Sequence, residues 1–165
     1  MSNFVINQEE KALLIRFKNF KNKDFVYEHN QKLDQNGRVW MVKLGRHVVE
    51  EKLKQVLSES GILILKAPKS IGGKYYCTYI YDYYYGLPNK NFNFPSYYDE
   101  LLSERLYWTD NSLNGTWIHI GKIVELRNSD AQQLYLISNH KKVTDVLNHT
   151  MSSVLYVQSS KKILA

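Results

Sequence analysis

A chain of 165 residues that is 44% hydrophobic is long enough to bury a real core and belongs with globular proteins. It carries no apolar run near about 18 residues and no charged-then-apolar leader, which argues against a membrane span and against secretion. The single cysteine, Cys77, excludes an internal disulfide and a cysteine-framed zinc site, so the expectation is one soluble, cytoplasmic protein in a reducing compartment.

The net charge of +6 is unevenly spread. Residues 1–74 hold 14 Lys/Arg against 8 Asp/Glu, residues 75–140 hold 4 against 7, and residues 141–165 hold 4 against 1. Two basic ends bracket a slightly acidic, tyrosine-rich middle, and would form one positive face if they met in space. A polyanion is then the first partner to consider, although the same charge also serves as a plain solvated surface.

In chain order, Asn7 followed by Gln8-Glu9-Glu10 predicts a capped helix with Leu13, Leu14 and Phe17 on its apolar side. Phe25–Tyr27 reads as a short strand. The pair Asn36-Gly37 is a turn signal leading into a strand over Arg38–Leu44, with Trp40, Val42 and Leu44 on one face. Val49, Leu53, Val56 and Leu57 then recur at helical spacing.

The centre of the pattern is Ser60–Asp82. Ile62–Leu65 is a continuous apolar run suited to a strand buried on both faces, and Tyr75–Tyr81 is dense in aromatic and β-branched residues. Between them the basic segment Ala67–Gly73 has the chemistry of a hairpin loop, so an antiparallel pair is predicted. The first strand has no solvent face, so other elements must cover it, and a curled sheet or small barrel is the economical solution.

Beyond Tyr83 the chain is loop-like and aromatic through Phe94-Pro95, and Ser96 opens a short helix bearing Leu101, Leu102, Arg105 and Leu106. Such aromatics suit a stacking pocket, or alternatively a hydrophobic mini-core beneath the insertion. Gly115–Leu126 reads as a strand with Ile118, Ile120 and Val124 inward and His119 and Glu125 outward. A strand at Leu134–Ile137, the basic turn Ser138–Lys142, a helical turn from Val143 and a last strand at Val154–Val157 follow. Residues 159–165 are expected to be a tail or linker.

No catalytic constellation is present, so the chain is not expected to be an enzyme. The five histidines lie on separate elements with no i,i+4 pair, and Gly72-Gly73-Lys74 precedes a strand where a phosphate loop needs a helix. Neither a metal nor a cofactor is expected. Cys77, a small residue within a tyrosine-rich strand, reads as packing.

The order strand Arg38–Leu44, helix Val49–Leu57, strand Ile62–Lys66, strand Lys74–Tyr81, aromatic insertion, then Asn114-Gly115-Thr116-Trp117-Ile118-His119-Ile120 and a basic turn resembles the PUA-like superfamily, nearest to EVE and YTH domains. That resemblance implies an α+β fold: a small open β-barrel of five to six mainly antiparallel strands with two to four helices, spanning 37–158 behind an N-terminal helical extension at 1–36. It also implies a module that recognises a modified, notably methylated, base by flipping it into an aromatic pocket, as at the N-terminus of McrB-like modification-dependent restriction subunits, where an AAA+ or nuclease domain follows.

Trp108 is similar in position to one cage aromatic of that family. Where a second cage Trp is expected, Ser58-Glu59-Ser60 stands instead, leaving Tyr83, Tyr84 or Trp40 as substitutes. His140-Lys141-Lys142 resembles the family's phosphate-contacting segment, and Lys69 and Lys74 of the hairpin join it as expected backbone contacts. The expected partner is nucleic acid, methylated duplex DNA first. RNA, or a protein-interaction surface with no nucleic-acid role, are the alternatives.

Overall fold

The computed structural model describes residues 4–88, 91–104 and 115–165. In chain order the elements are β1 (Val5–Ile6), β2 (Ala12–Arg16), α1 (Phe25–Gln31), β3 (Val39–Lys43), α2 (Glu50–Ser58), β4 (Ile62–Lys66), β5 (Tyr75–Tyr85), α3 (Tyr98–Glu104), β6 (Thr116–Ile120), β7 (Val124–Leu126), α4 (Asn128–Ala131), β8 (Leu134–Leu136), α5 (Val143–Val146), β9 (Val154–Ser159) and β10 (Ile163–Leu164). A 3₁₀ turn, Lys69–Ile71, sits in the β4–β5 connection. The fold is α+β with a mixed, mostly antiparallel sheet, and it divides into two units. The first comprises Met1–Lys18, Glu50–Tyr79 and Val124–Ala165, the second Asn19–Val49 and Ile80–Ile123.

In the first unit the predicted hairpin forms, with β4 antiparallel to β5 and Ile64 opposite Cys77. Against expectation, the segment predicted as an N-terminal helix is strand β2. It lies parallel to β4, with Leu13 opposite Leu63 and Arg16 opposite Lys66, and antiparallel to β9. The physical reason is burial. A surface helix would bury only the Leu13, Leu14 and Phe17 side, whereas a central strand removes Ala12, Leu13, Leu14 and Ile15 from water together. A buried Leu or Ile contributes roughly 1.5–3 kcal/mol, which outweighs a surface cap at Asn7 of about 1 kcal/mol. Glu9, at φ 66°, breaks the would-be first turn.

Within this unit the strands run β7, β5, β4, β2, β9, β8 and the path does not close. One face packs Leu14, Ile62, Ile64, Tyr75, Cys77 and Val157 against Phe4, Ala131, Val143 and Leu147. The other face presents Leu13, Leu63 and Leu65, fully buried, and α2 packs toward β2 with Leu53 and Val56 buried. Residues 159–165 are not a tail. Ile163 is 1% exposed, and β10 pairs with β1 so that Val5 lies opposite Leu164.

The second unit contains β3, β6 and the far half of β5 as an antiparallel sheet, with Trp40 opposite His119 and Tyr84 opposite Trp117. The register shifts between Ile80 and Asp82, and this bulge carries the strand on to Tyr85 where the sequence suggested loop. The predicted strand at Phe25–Tyr27 is instead helix α1, because Asp24 caps it by accepting from Tyr27 N at 2.9 Å. On one sheet face Trp40, Val42 and Trp117 are covered by Phe92, Phe94, Tyr97, Tyr98 and Leu102, so these aromatics of the insertion form a mini-core.

A buried hydrogen-bonded chain fixes that core. The His29 Nδ1–H donates to Phe25 O at 2.7 Å, His29 Nε2 accepts from the Tyr98 hydroxyl, and that oxygen accepts from Val42 N at 3.2 Å. The one tautomer that satisfies both neighbours is neutral, and burial holds the imidazole down at about 4 from 6.5. Gly115 is required for a different reason: a Cβ there would stand 2.4 Å from Lys43 O.

Candidate functional site

In the first unit β2 and β4 each end an apolar run with a cation, and their parallel pairing sets Arg16 directly beside Lys66, with Tyr75 opposite Lys66 on β5. Three neighbouring strands thus place Arg16, Lys66 and Tyr75 in one row at the edge of the core face. Lys69, from the 3₁₀ turn, adds a third cation to the cavity of about 370 Å³ that opens above the row. Asn128, Gln132, Thr144 and Asn148 supply its polar wall, and Phe17 and Pro68 its apolar rim. No carboxylate is among the described residues that line it.

Backbone carbonyls hold two of the cations, Arg16 and Lys66, in place. The Arg16 guanidinium donates to Thr150 O at 2.8 Å and to Leu147 O, and Lys66 Nζ donates to Ala67 O at 2.9 Å and to Gly73 O. Lys66 also sits 4.9 Å from the centre of the Tyr75 ring. Burial first, then Arg16 and Lys69, push the Lys66 ammonium below its usual range. Burial raises the Tyr75 phenol, which therefore stays protonated and can donate.

Like charges placed directly opposite on neighbouring strands destabilise a sheet, and among the described residues no ion pair relieves Arg16, Lys66 or Lys69. An anion in the cavity would remove that repulsion and accept from several donors at once. A volume of this order, with convergent polar groups beside an apolar rim, falls at the small end of the range of small-ligand sites.

The residues expected from sequence are dispersed. Trp108 lies outside the described residues. Trp40 is 8% exposed, and both faces of its indole are taken, by Phe92 at 4.1 Å and His119 at 4.4 Å, in near-parallel stacks. It therefore offers no free face to an incoming base. Tyr83 is half-buried beside Tyr85, and Tyr84 is largely exposed with its ring edge-on to Phe92. These three aromatics belong to the second unit, apart from the cavity's lining.

Of the expected phosphate contacts, Lys69 lines the cavity, whereas Lys74 is paired with Glu125 at 3.2 Å on the surface. His140 and Lys142 line a separate, shallower hollow, and Lys141 is exposed in the same turn. Sequence reasoning missed Arg16, Lys66 and the amide-bearing wall. A signal was present: Ala-Leu-Leu-Ile-Arg and Ile-Leu-Ile-Leu-Lys are the same pattern, four apolar residues closed by a cation. Among the described residues no cluster of three His, Cys, Asp or Glu could hold a metal, and no helix is long and apolar enough to cross a membrane. No protein-family model, curated protein or solved structure matches this chain, so what the site can hold follows from its own geometry.

Proposed function

We propose that the chain is a nucleic-acid-binding module whose first unit takes one nucleotide, its phosphate on Arg16, Lys66 and Lys69 and its base against Tyr75 and the amides of Asn128, Gln132 and Asn148. The observation that carries this reading is the in-register pair Arg16 and Lys66, two cations side by side with a third nearby and no carboxylate among the described lining. Amide side chains can both donate to and accept from a base edge, which a site built for bare phosphate would not need.

The finer reading is a PUA-like reader of a modified, notably methylated, base in a restriction system of the McrB type. It is supported by the residue resemblance at Gly115-Thr116-Trp117 and by the basic turn at His140–Lys142. A base can enter the cavity only when unpaired, so a duplex substrate must flip it out, at a cost of a few kcal/mol that the phosphate contacts help to offset.

The test is fluorescence anisotropy with methylated duplex, unmethylated duplex, single-stranded DNA and RNA, each titrated across salt. With the pocket's cations on phosphate, log K should fall against log salt with a slope of about −0.7 to −0.9 per contact, and Arg16→Ala should flatten it by about one contact. Affinity independent of salt, or an Arg16→Ala slope equal to that of the parent, would remove the site. Preference for methylated duplex supports the finer reading, and RNA outcompeting every DNA overturns it.

A further inference from the structure

Beside β8 a hollow of about 280 Å³ is lined by Gln132, Gln133, Tyr135, His140, Lys142 and neighbours. Gln132 also lines the larger cavity, so the two share a wall within the first unit. That wall is fixed in part by the Thr144 hydroxyl, which donates to Gln132 Oε1 at 3.3 Å.

The second hollow is built on a strained turn. His140 has φ 59°, a left-handed conformation that costs a residue with a side chain roughly 1–3 kcal/mol and persists only where its surroundings enforce it. Here they do: His140 N donates to Leu136 O at 2.9 Å, Leu136 N donates to Lys141 O at 2.9 Å, and Lys141 N donates to Asn139 Oδ1 at 3.0 Å. A Gly at 140 would relax the turn but would carry no ring. With His140 there, the imidazole lies beside the Tyr135 phenol, ring centres 5.6 Å apart, and Lys142 borders the same hollow. Again, no carboxylate is among its described lining residues.

We infer that the two hollows hold successive nucleotides of an unpaired strand, so that the substrate is single-stranded over at least that step. This rests on the nucleic-acid reading above and goes further, since that reading needs only one unpaired nucleotide. The first nucleotide's phosphate sits on the Arg16–Lys66 pair, the backbone passes Gln132, and the next base lies on the Tyr135–His140 rings with Lys142 on its phosphate. A ring platform reads the flat face of a base, and in a duplex both faces are covered by neighbouring pairs. Because every base has such a face, this second position is tolerant of sequence.

The experiment compares thymidine monophosphate by calorimetry with labelled oligothymidylate and a matched duplex by anisotropy, for the parent, Tyr135→Ala, His140→Gly and Arg16→Ala. His140→Gly suits the left-handed turn, so it keeps the fold while removing the ring. The expected result is single strand bound in preference to duplex, with Tyr135→Ala and His140→Gly each lowering single-strand affinity about fivefold or more while the mononucleotide binds unchanged. Arg16→Ala should weaken both ligands. Single-strand affinity unmoved by Tyr135→Ala and His140→Gly, or duplex preferred throughout, overturns this inference and leaves the first site standing. If no nucleic acid binds, or Arg16→Ala changes neither ligand, the underlying reading fails with it.

Discussion

The buried imidazole of His29 makes the stability of the second unit depend on pH in a direction that can be worked from the structure. Unfolded, this histidine titrates near 6.5; folded, at about 4, because burial penalises the cation and the Phe25 carbonyl opposes that only in part. Between those values the unfolded chain binds a proton that the native one refuses, so stability is lost as pH falls from 6.5 towards 4. At 1.36 kcal/mol per pH unit the full loss is about 3 kcal/mol, with about 2 kcal/mol gone by pH 5. Urea unfolding followed by tryptophan fluorescence at a series of pH values measures it. Other groups titrate in the same range, so the quantity that isolates this residue is the difference from His29→Gln, whose amide can donate to Phe25 O and accept from Tyr98. That difference should shrink and then reverse on acidification, because the glutamine carries no proton debt. If it is as large at pH 4.5 as at pH 7.5, the neutral His29–Tyr98 chain is not what the second unit's core depends on.

Three further outcomes follow from packing. Gly115→Ala places a methyl against the Lys43 backbone carbonyl, which cannot swing away as a flexible side chain could, and should destabilise by about 1–3 kcal/mol, seen as a lowered midpoint in thermal melts. Ile163→Ala empties a site that is 1% exposed and should cost about 2–5 kcal/mol, whereas a frayed tail would tolerate the change. Burial, with Asp130 adding to it, pushes the Cys77 thiol up to about 12, so an aromatic disulfide reagent should leave it unmodified in the native protein and label it fully in denaturant.

The parts of the fold readable from sequence were those where local pattern and burial agree. The hairpin of Ile62–Lys66 with Tyr75–Tyr81 and the helix Glu50–Ser58 were legible because a continuous apolar run, a glycine turn and a 3.6-residue period are each self-contained, whereas the extension of the second strand to Tyr85 was not. The segment Ala12–Arg16 was not. Leu13, Leu14 and Phe17 fit a helical face as well as a buried strand, and only partners 50 residues away on β4 and still farther away on β9 decide between them. Short pieces whose pairing partner is distant failed likewise, as at Ile163–Leu164, whose partner strand begins at Val5. The site suffered most. Reading aromatics as a cage drew attention to Trp40, whose faces neighbours already occupy, and away from Arg16 and Lys66, which become one feature only once two strands lie side by side.

The exchange of hydrogen bonds between Phe4 and Ala165, at 2.7 and 2.9 Å, and the seating of the Ala12–Ile15 strand against Val154–Val157 have a kinetic meaning. During synthesis this apolar strand leaves the ribosome about 50 residues before its β4 neighbour and about 140 residues before β9, so its second edge is covered late. Until then Ala-Leu-Leu-Ile presents an open edge that any other extended chain could occupy, and the late arrival of residues 154–165 closes it.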